Sequence, residues 1–213
     1  MTVSTAAISR CRFALDKVFE MGFRVSWIAR RGSSTAELLK AANRYPTGER
    51  HDFPDIGCYL VELPGDDNAP WVMLIASGTD NFADLADESA RLLSEDGSET
   101  IYFWCSDTVM STELVCFRNG TESWSVKYDC ETGTDRPELK GDLPAVAHEI
   151  LAKLIAQQDA SADADYIYDM TAELGLALTG FRHDQDLELN DPEPFQILSD
   201  QVTPRRPWWR FWQ

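Results

Sequence analysis

The sequence predicts an α+β fold: a single domain with one mostly antiparallel sheet and helices packed against it. Three observations point there. The middle of the chain, from residue 56 to 128, is a succession of short apolar runs separated by turn signals. One pair of runs is joined by Asn119-Gly120, a dipeptide that favours the positive φ values of a tight hairpin turn. After residue 142 the apolar spacing changes to that of helices. With 44% hydrophobic and 11% aromatic side chains in 213 residues, the chain has the material for a packed core, which excludes a disordered or collagen-like protein. The domain is assigned to residues 1–203, and residues 204–213 form a separate Trp/Arg-rich tail.

From the N-terminus, residues 1–20 read as a helix with Ile8, Cys11, Phe13, Leu15, Val18 and Phe19 loosely periodic, broken at Gly22. Residues 23–28 alternate as a strand does. Ser34 and Glu37 match a capping box, opening a helix that runs to about Asn43, before a turn around Pro46-Thr47-Gly48. Residues 58–63 and 71–76 are strands separated by the turn-like stretch 64–68. Asn81 caps a helix through Leu92 and Leu93, with Phe82, Leu85, Ala86 and Ser89 on one face. Strands follow at 100–105, 113–117 and 123–128, the last with Trp124, Val126 and Tyr128 on one side and Ser125 and Lys127 on the other. Asp142 and Pro144 start a helix whose buried stripe is Val146, Ala147, Ile150, Leu151, Leu154 and Ile155. A further helix spans about Met170 to Leu178 and ends near Gly180. Residues 182–204, acidic and Pro-containing, read as loop or extended chain.

The charge is unevenly distributed. Residues 1–50 hold nine basic and four acidic side chains, residues 51–203 hold seven against 32, and the last ten residues hold three arginines and no acid, for a net charge of −17. An acidic body of this kind repels nucleic acid phosphates and anionic lipid and attracts a basic partner. No apolar run approaches the roughly 20 residues of a spanning helix, and the N-terminus has no basic region followed by a continuous apolar stretch. The chain therefore reads as cytoplasmic, with neither membrane nor direct nucleic acid as partner.

Familiar catalytic patterns are missing. There is no Gly-x-Ser-x-Gly elbow, no His-Glu-x-x-His helix and no glycine-rich phosphate loop. The five cysteines, Cys11, Cys58, Cys105, Cys116 and Cys130, form an odd set without a Cys-x-x-Cys pair, so neither a zinc site nor a disulfide framework is expected, and no cofactor is implied. With His51, His148 and His183, two triads can be drawn, Cys105/His148/Asp184 and Cys116/His183/Asp129, but no spacing singles either out, and no catalytic residue is assigned. His148, near the edge of its helix's apolar stripe, is expected to be a partly buried structural residue. The tail, with Arg205, Arg206, Trp208, Trp209, Arg210, Phe211 and Trp212, is expected to fold its rings back over the protein's own sheet and pair its arginines with the acidic surface. An exposed tail is instead a docking or self-association element.

Two stretches carry a resemblance. Val109-Met110-Ser111-Thr112 leads through Phe117-Arg118-Asn119-Gly120 to Trp124-Ser125-Val126-Lys127-Tyr128-Asp129, and further on comes Leu178-Thr179-Gly180-Phe181-Arg182-His183-Asp184. Together they resemble small acidic bacterial immunity proteins encoded beside polymorphic or type VI secretion toxins, over roughly residues 20–185. Tyr128 stands where the pattern leads one to expect histidine. The resemblance implies a protein that binds and neutralises a cognate toxin without catalysis. The charge fits a basic toxin domain acting in the cytoplasm, such as a nuclease whose groove must bind phosphates. The expected contacts are Asp184, Asp186, Glu188, Asp191 and Glu193, with Arg182 and His183 beside them. The competing readings are a Cys/His-dependent hydrolase or transferase, and an adaptor that docks through the Trp/Arg tail.

Overall fold

Strand β1 (Arg24–Arg31) is buried from Val25 to Arg30 and hydrogen-bonded along both edges, so it joins the two halves of the sheet. The computed structural model describes residues 22–200 apart from 54–55, 66–68, 79–81, 133–135 and 161–163, with the backbone alone at 82–86 and 132. After β1 come α1 (Thr35–Ala41), β2 (Tyr45–His51), β3 (Gly57–Leu63), β4 (Trp71–Ser77), α2 (Phe82–Leu93), β5 (Thr100–Ser106), β6 (Ser111–Arg118), β7 (Thr121–Asp129), β8 (Glu138–Gly141), α3 (Ala145–Ala160), α4 (Met170–Thr179) and β9 (Phe195–Ser199). The nine strands form one sheet in the order β2-β9-β3-β4-β1-β5-β6-β7-β8, with every pairing antiparallel. The fold is thus the expected single α+β domain. The expected N-terminal helix and the tail lie outside the described residues.

The pleat sends alternate side chains to opposite faces, and both faces are covered. On one, Trp27, Val61, Met73, Ile75, Phe103, Leu114 and Val126 pack with Ala147 and Leu154 of α3 and Met170 and Leu174 of α4. On the other, Ile28, Leu60, Leu74, Tyr102 and Val115 pack with Leu38 of α1 and Ala90 and Leu93 of α2. The stripe expected on α3 is the one that faces the sheet. Glu37 accepts the Ser34 N–H at 3.4 Å, as its capping box requires. Asn119 and Gly120 take φ values of 53° and 69°, both positive, at the turn between β6 and β7.

At Gly175, α4 comes close to the Trp27 ring of β1. A Cβ there would lie 3.0 Å from Trp27 Cζ2, and the Trp27 ring stacks on Phe103 with centroids 5.1 Å apart. A side chain at 175 would push the helix off the central strand.

Three strands are not named in the sequence reading. Residues 45–51, read in part as a turn, form β2, an edge strand in which Pro46 is tolerated because the outer edge needs no donor, with a register shift between Pro46 and Arg50. Residues 138–141 form β8, the exposed opposite edge. Part of the stretch read as loop or extended chain, Phe195–Ser199, is extended and forms β9, which inserts between β2 and β3 and pairs with both. None of the three shows its own alternation over a long run; β2 and β9 are specified by pairing with partners distant in sequence and β8 by pairing with the preceding strand β7.

Gly175→Leu is expected to cost about 2 kcal/mol through overpacking against Trp27. The check is the midpoint of urea unfolding followed by tryptophan fluorescence; an unshifted midpoint would mean that α4 does not rest on β1.

Candidate functional site

The chain leaves α4 by a turn that fixes where the residues of the acidic run go. Thr179 Oγ1 donates to the Gly175 carbonyl at 2.8 Å and accepts the Phe181 N–H at 3.2 Å. Phe181 enters the core, which draws Arg182 in beside it. The Arg182 guanidinium is buried and meets three carboxylates: Nη1 to Glu173 Oε1 at 2.7 Å, Nη2 to Asp169 Oδ1 at 3.2 Å, and Nε to Asp184 Oδ1 at 2.7 Å. A second bond, Nη2 to Asp184 Oδ2 at 3.0 Å, makes the Asp184 contact bidentate. Burial raises the Asp169 carboxyl above its ordinary value in spite of Arg182. At Asp184 burial acts in the same sense, but hydrogen bonding and charge from Arg182 outweigh it and hold the group below its ordinary value.

Beyond Asp184 the loop runs extended across the α3/α4 side of the sheet. Leu187 and Leu189 pack inward against the core, which leaves Asp186 and Glu188 outward and exposed. The loop is then tied to β2: Arg50 Nη2 meets Asp191 Oδ2 at 2.6 Å, and Arg50 Nε donates to the Glu193 carbonyl at 2.7 Å. Asp191 Oδ1 also accepts the Glu193 N–H at 3.0 Å. The expected contact set therefore divides. Arg182, Asp184 and Asp191 are engaged in holding the fold, and His183 is turned into it. Asp186, Glu188 and Glu193 are exposed, and no ion pair reaches them among the described residues.

His183 meets a different cysteine from the one drawn with it. Its Nε2 lies 3.5 Å from Cys105 Sγ, and its ring is packed by Phe23 edge-on and by Phe103. Asp107 lies close by, accepting the Phe23 N–H at 2.9 Å and the Tyr168 hydroxyl at 2.7 Å. Neither triad drawn from the sequence assembles: His148 is exposed on α3, against the expectation of partial burial, and Asp129 accepts the Glu131 N–H at 3.0 Å. Burial pushes the Cys105 thiol up to about 12, with the Asp107 charge adding to it, and burial lowers the His183 imidazole. Both partners are held neutral, the reverse of the thiolate and imidazolium of an activated nucleophile. Tyr128, at the position where histidine was looked for, donates its hydroxyl to Asp165 Oδ2 at 2.5 Å and so supports the turn before α4.

Sequence reasoning missed a groove on the other face. Between α2 and β7 a hollow of about 600 Å³ opens over β5 and β6. Buried Tyr102, Val115 and Phe117 and half-buried Trp104 line it, and Asp87, Glu113 and Glu122 supply carboxylates. Burial raises both Asp87 and Glu113 above their ordinary values, Arg91 and Lys127 respectively offsetting it in part. The alternation Glu113, Val115, Phe117 was visible along β6, but Asp87 arrives from α2, 26 residues earlier, and only the fold brings it there.

Among the described residues, no group of His, Cys, Asp or Glu is arranged to hold a metal ion, and no helix is long and apolar enough to cross a membrane. No family model, curated protein or solved structure matches the chain.

Arg182→Met is expected to cost about 3 kcal/mol, because it leaves three gathered carboxylates with only Lys153, 3.7 Å from Glu173, beside them. Its check is thermal or denaturant unfolding at pH 7, where a loss below about 1 kcal/mol would place the arginine outside the load of the fold. Iodoacetamide at pH 8, with labelled peptides mapped by mass spectrometry, is expected to modify exposed Cys130 at an ordinary thiol rate. Cys58, Cys105 and Cys116 should react on the order of a hundredfold more slowly. Rapid labelling of Cys105 would favour the enzyme reading.

Proposed function

We propose that this protein is an immunity-type inhibitor that neutralises a basic toxin domain in the cytoplasm by stoichiometric occlusion. The observation that carries the reading is the loop after α4. It is pinned at both ends, by Phe181 and Arg182 at one and by the Arg50–Asp191 pair at the other, while Asp186, Glu188 and Glu193 remain outward. A rigid loop presenting uncommitted carboxylates loses little freedom on binding, so more of the attraction appears as affinity. The acidic body around it, with 32 acidic against seven basic side chains over residues 51–203, steers a basic partner toward it. The resemblance in the Val109–Asp129 and Leu178–Asp184 stretches supports the same class. A toxin that binds nucleic acid would present a cationic groove, and these carboxylates would take the places of phosphates.

The test is a pull-down of the tagged full-length chain from its native host, with the captured protein identified by mass spectrometry. The expected result is a near-stoichiometric protein with a basic, toxin-like domain. The triple variant Asp186→Lys, Glu188→Lys, Glu193→Lys should lower its affinity at least about tenfold while leaving the unfolding midpoint in place, since these side chains are exposed and make no ion pair among the described residues. Recovery of the protein alone while the neighbouring gene is expressed would count against the reading. Capture undiminished by the triple variant would move the interface away from this loop.

A further inference from the structure

The tip of the β6–β7 hairpin is held by a loop from elsewhere in the chain, and the hold falls on a reactive dipeptide. Asparagine loses its side-chain amide most readily when glycine follows, because no Cβ hinders the approach of the glycine nitrogen to the carboxamide. We propose that Asn119 is a latent deamidation site, locked in the folded protein by Ser94.

The reaction starts at the Gly120 nitrogen. Once its proton has passed to solvent base, the nitrogen attacks Asn119 Cγ. The N–Cγ bond forms, the Cγ–Nδ2 bond breaks, and Nδ2 takes up a proton and leaves as ammonia. Water then opens the five-membered imide at either carbonyl, leaving aspartate or isoaspartate at 119. Two conditions follow: the Gly120 N–H must be open to base, and the Asn119 side chain must be free to swing over the Gly120 nitrogen.

The fold opposes both. A two-residue hairpin turn supplies no acceptor of its own for the N–H at its second position, yet the Gly120 N–H donates to Ser94 Oγ at 3.1 Å. Ser94 is fully buried after α2, and its hydroxyl donates onward to the Arg91 carbonyl at 2.7 Å, which leaves its oxygen as the acceptor for Gly120. The Asn119 side chain rests on the same loop: a Cβ at Gly97 would come 3.3 Å from Asn119 Oδ1. A Cβ at Gly120 would come 3.2 Å from Glu95 Cγ, so the two turns touch along their length. The loop is itself anchored. The Gly97 N–H donates to the Ser94 carbonyl at 3.0 Å, buried Arg30 holds Asp96 and Ser98, and Arg118, just before Asn119, pairs with Glu99 at 3.1 Å. Deamidation therefore waits for the hairpin tip to part from residues 94–99. Its product would set a new carboxylate against a loop that already carries Glu95, Asp96 and Glu99.

The lock is independent of what the acidic loop after α4 binds. In the test, full-length protein is incubated at pH 8, and aspartate and isoaspartate at 119 are counted by peptide mass spectrometry. Native protein should deamidate at Asn119 at least about tenfold more slowly than the same chain in guanidinium chloride, a protection set by opening of the tip. Ser94→Ala should lose most of that protection with its circular dichroism spectrum native, and its Gly120 amide should exchange hydrogen faster in step. Equal rates in native and denatured protein would overturn the proposal, as would Ser94→Ala as slow as the unaltered chain. Should Ser94→Ala not fold, hydrogen exchange of Gly120 in the unaltered protein decides: a free-peptide rate overturns the lock, and slow exchange together with slow deamidation supports it.

Discussion

The structure depends on the double burial of β1. A strand with neighbours on both edges and helices over both faces can hold only side chains that each layer accommodates, and β1 supplies Trp27 to one layer and Ile28 to the other. It also lies between the β2-β9-β3-β4 half of the sheet and the β5-β6-β7-β8 half and pairs with the nearest strand of each. The right-hand half is a meander of sequence neighbours and can form locally. The left-hand half closes only when β9 enters between β2 and β3, more than 130 residues from β3 in sequence. Non-local pairing of that kind is slow, because the loop must close before the contacts reward it. The completed sheet therefore waits for the C-terminal part of the chain.

Two buried arginines fix the layers to this frame. Arg30, on the α1/α2 face of β1, binds Glu37 of α1, Asp96 after α2, and the hydroxyls of Ser33 and Ser98. Arg182 does the corresponding work on the other face, joining α4, the turn before it and the acidic loop. In both cases one planar cation collects acceptors from segments that are distant in sequence. A buried guanidinium with several well-placed acceptors sets an orientation more than it adds stability, since its desolvation offsets much of the attraction. Its value here is that helices and loop arrive in one register.

Most of the sheet was legible because the central strands bury at least one whole face and advertise it. The continuous apolar run of β4, the alternation of β1 and the Asn119-Gly120 turn are local statements with local causes. The edge strands β2 and β8 were not legible, because an edge exposed on both faces has no periodicity to show. The site was legible as a region and not as a set of roles. The run from Asp184 to Glu193 reads as one acidic patch, but Asp184 is taken by Arg182 and Asp191 by Arg50. Both cations are visible in the sequence, but Arg50 lies 141 residues from its partner. The contact of Cys105 with His183, 78 residues apart, was hidden for the same reason.

The division within that acidic run bears on how an inhibitor of this type has to be built. Net charge sets how fast a basic partner arrives and how steeply that rate falls with salt, but it does not choose the patch on which the partner stops. A patch is chosen by carboxylates that are both fixed in space and free of internal counter-ions. Those conditions oppose each other, since the usual way to fix a carboxylate is to pair it. Here the two tasks fall to different residues of one short loop. Asp184 and Asp191 take the cations that hold it, Leu187 and Leu189 press it onto the core, and the alternation of the extended chain leaves Asp186 and Glu188 pointing away. The internal ion pairs are thus what makes the remaining charges useful as a surface. Removing Arg182 or Arg50 would make the loop more acidic in net charge and yet a poorer partner for a basic protein, because the charges would no longer be held in place.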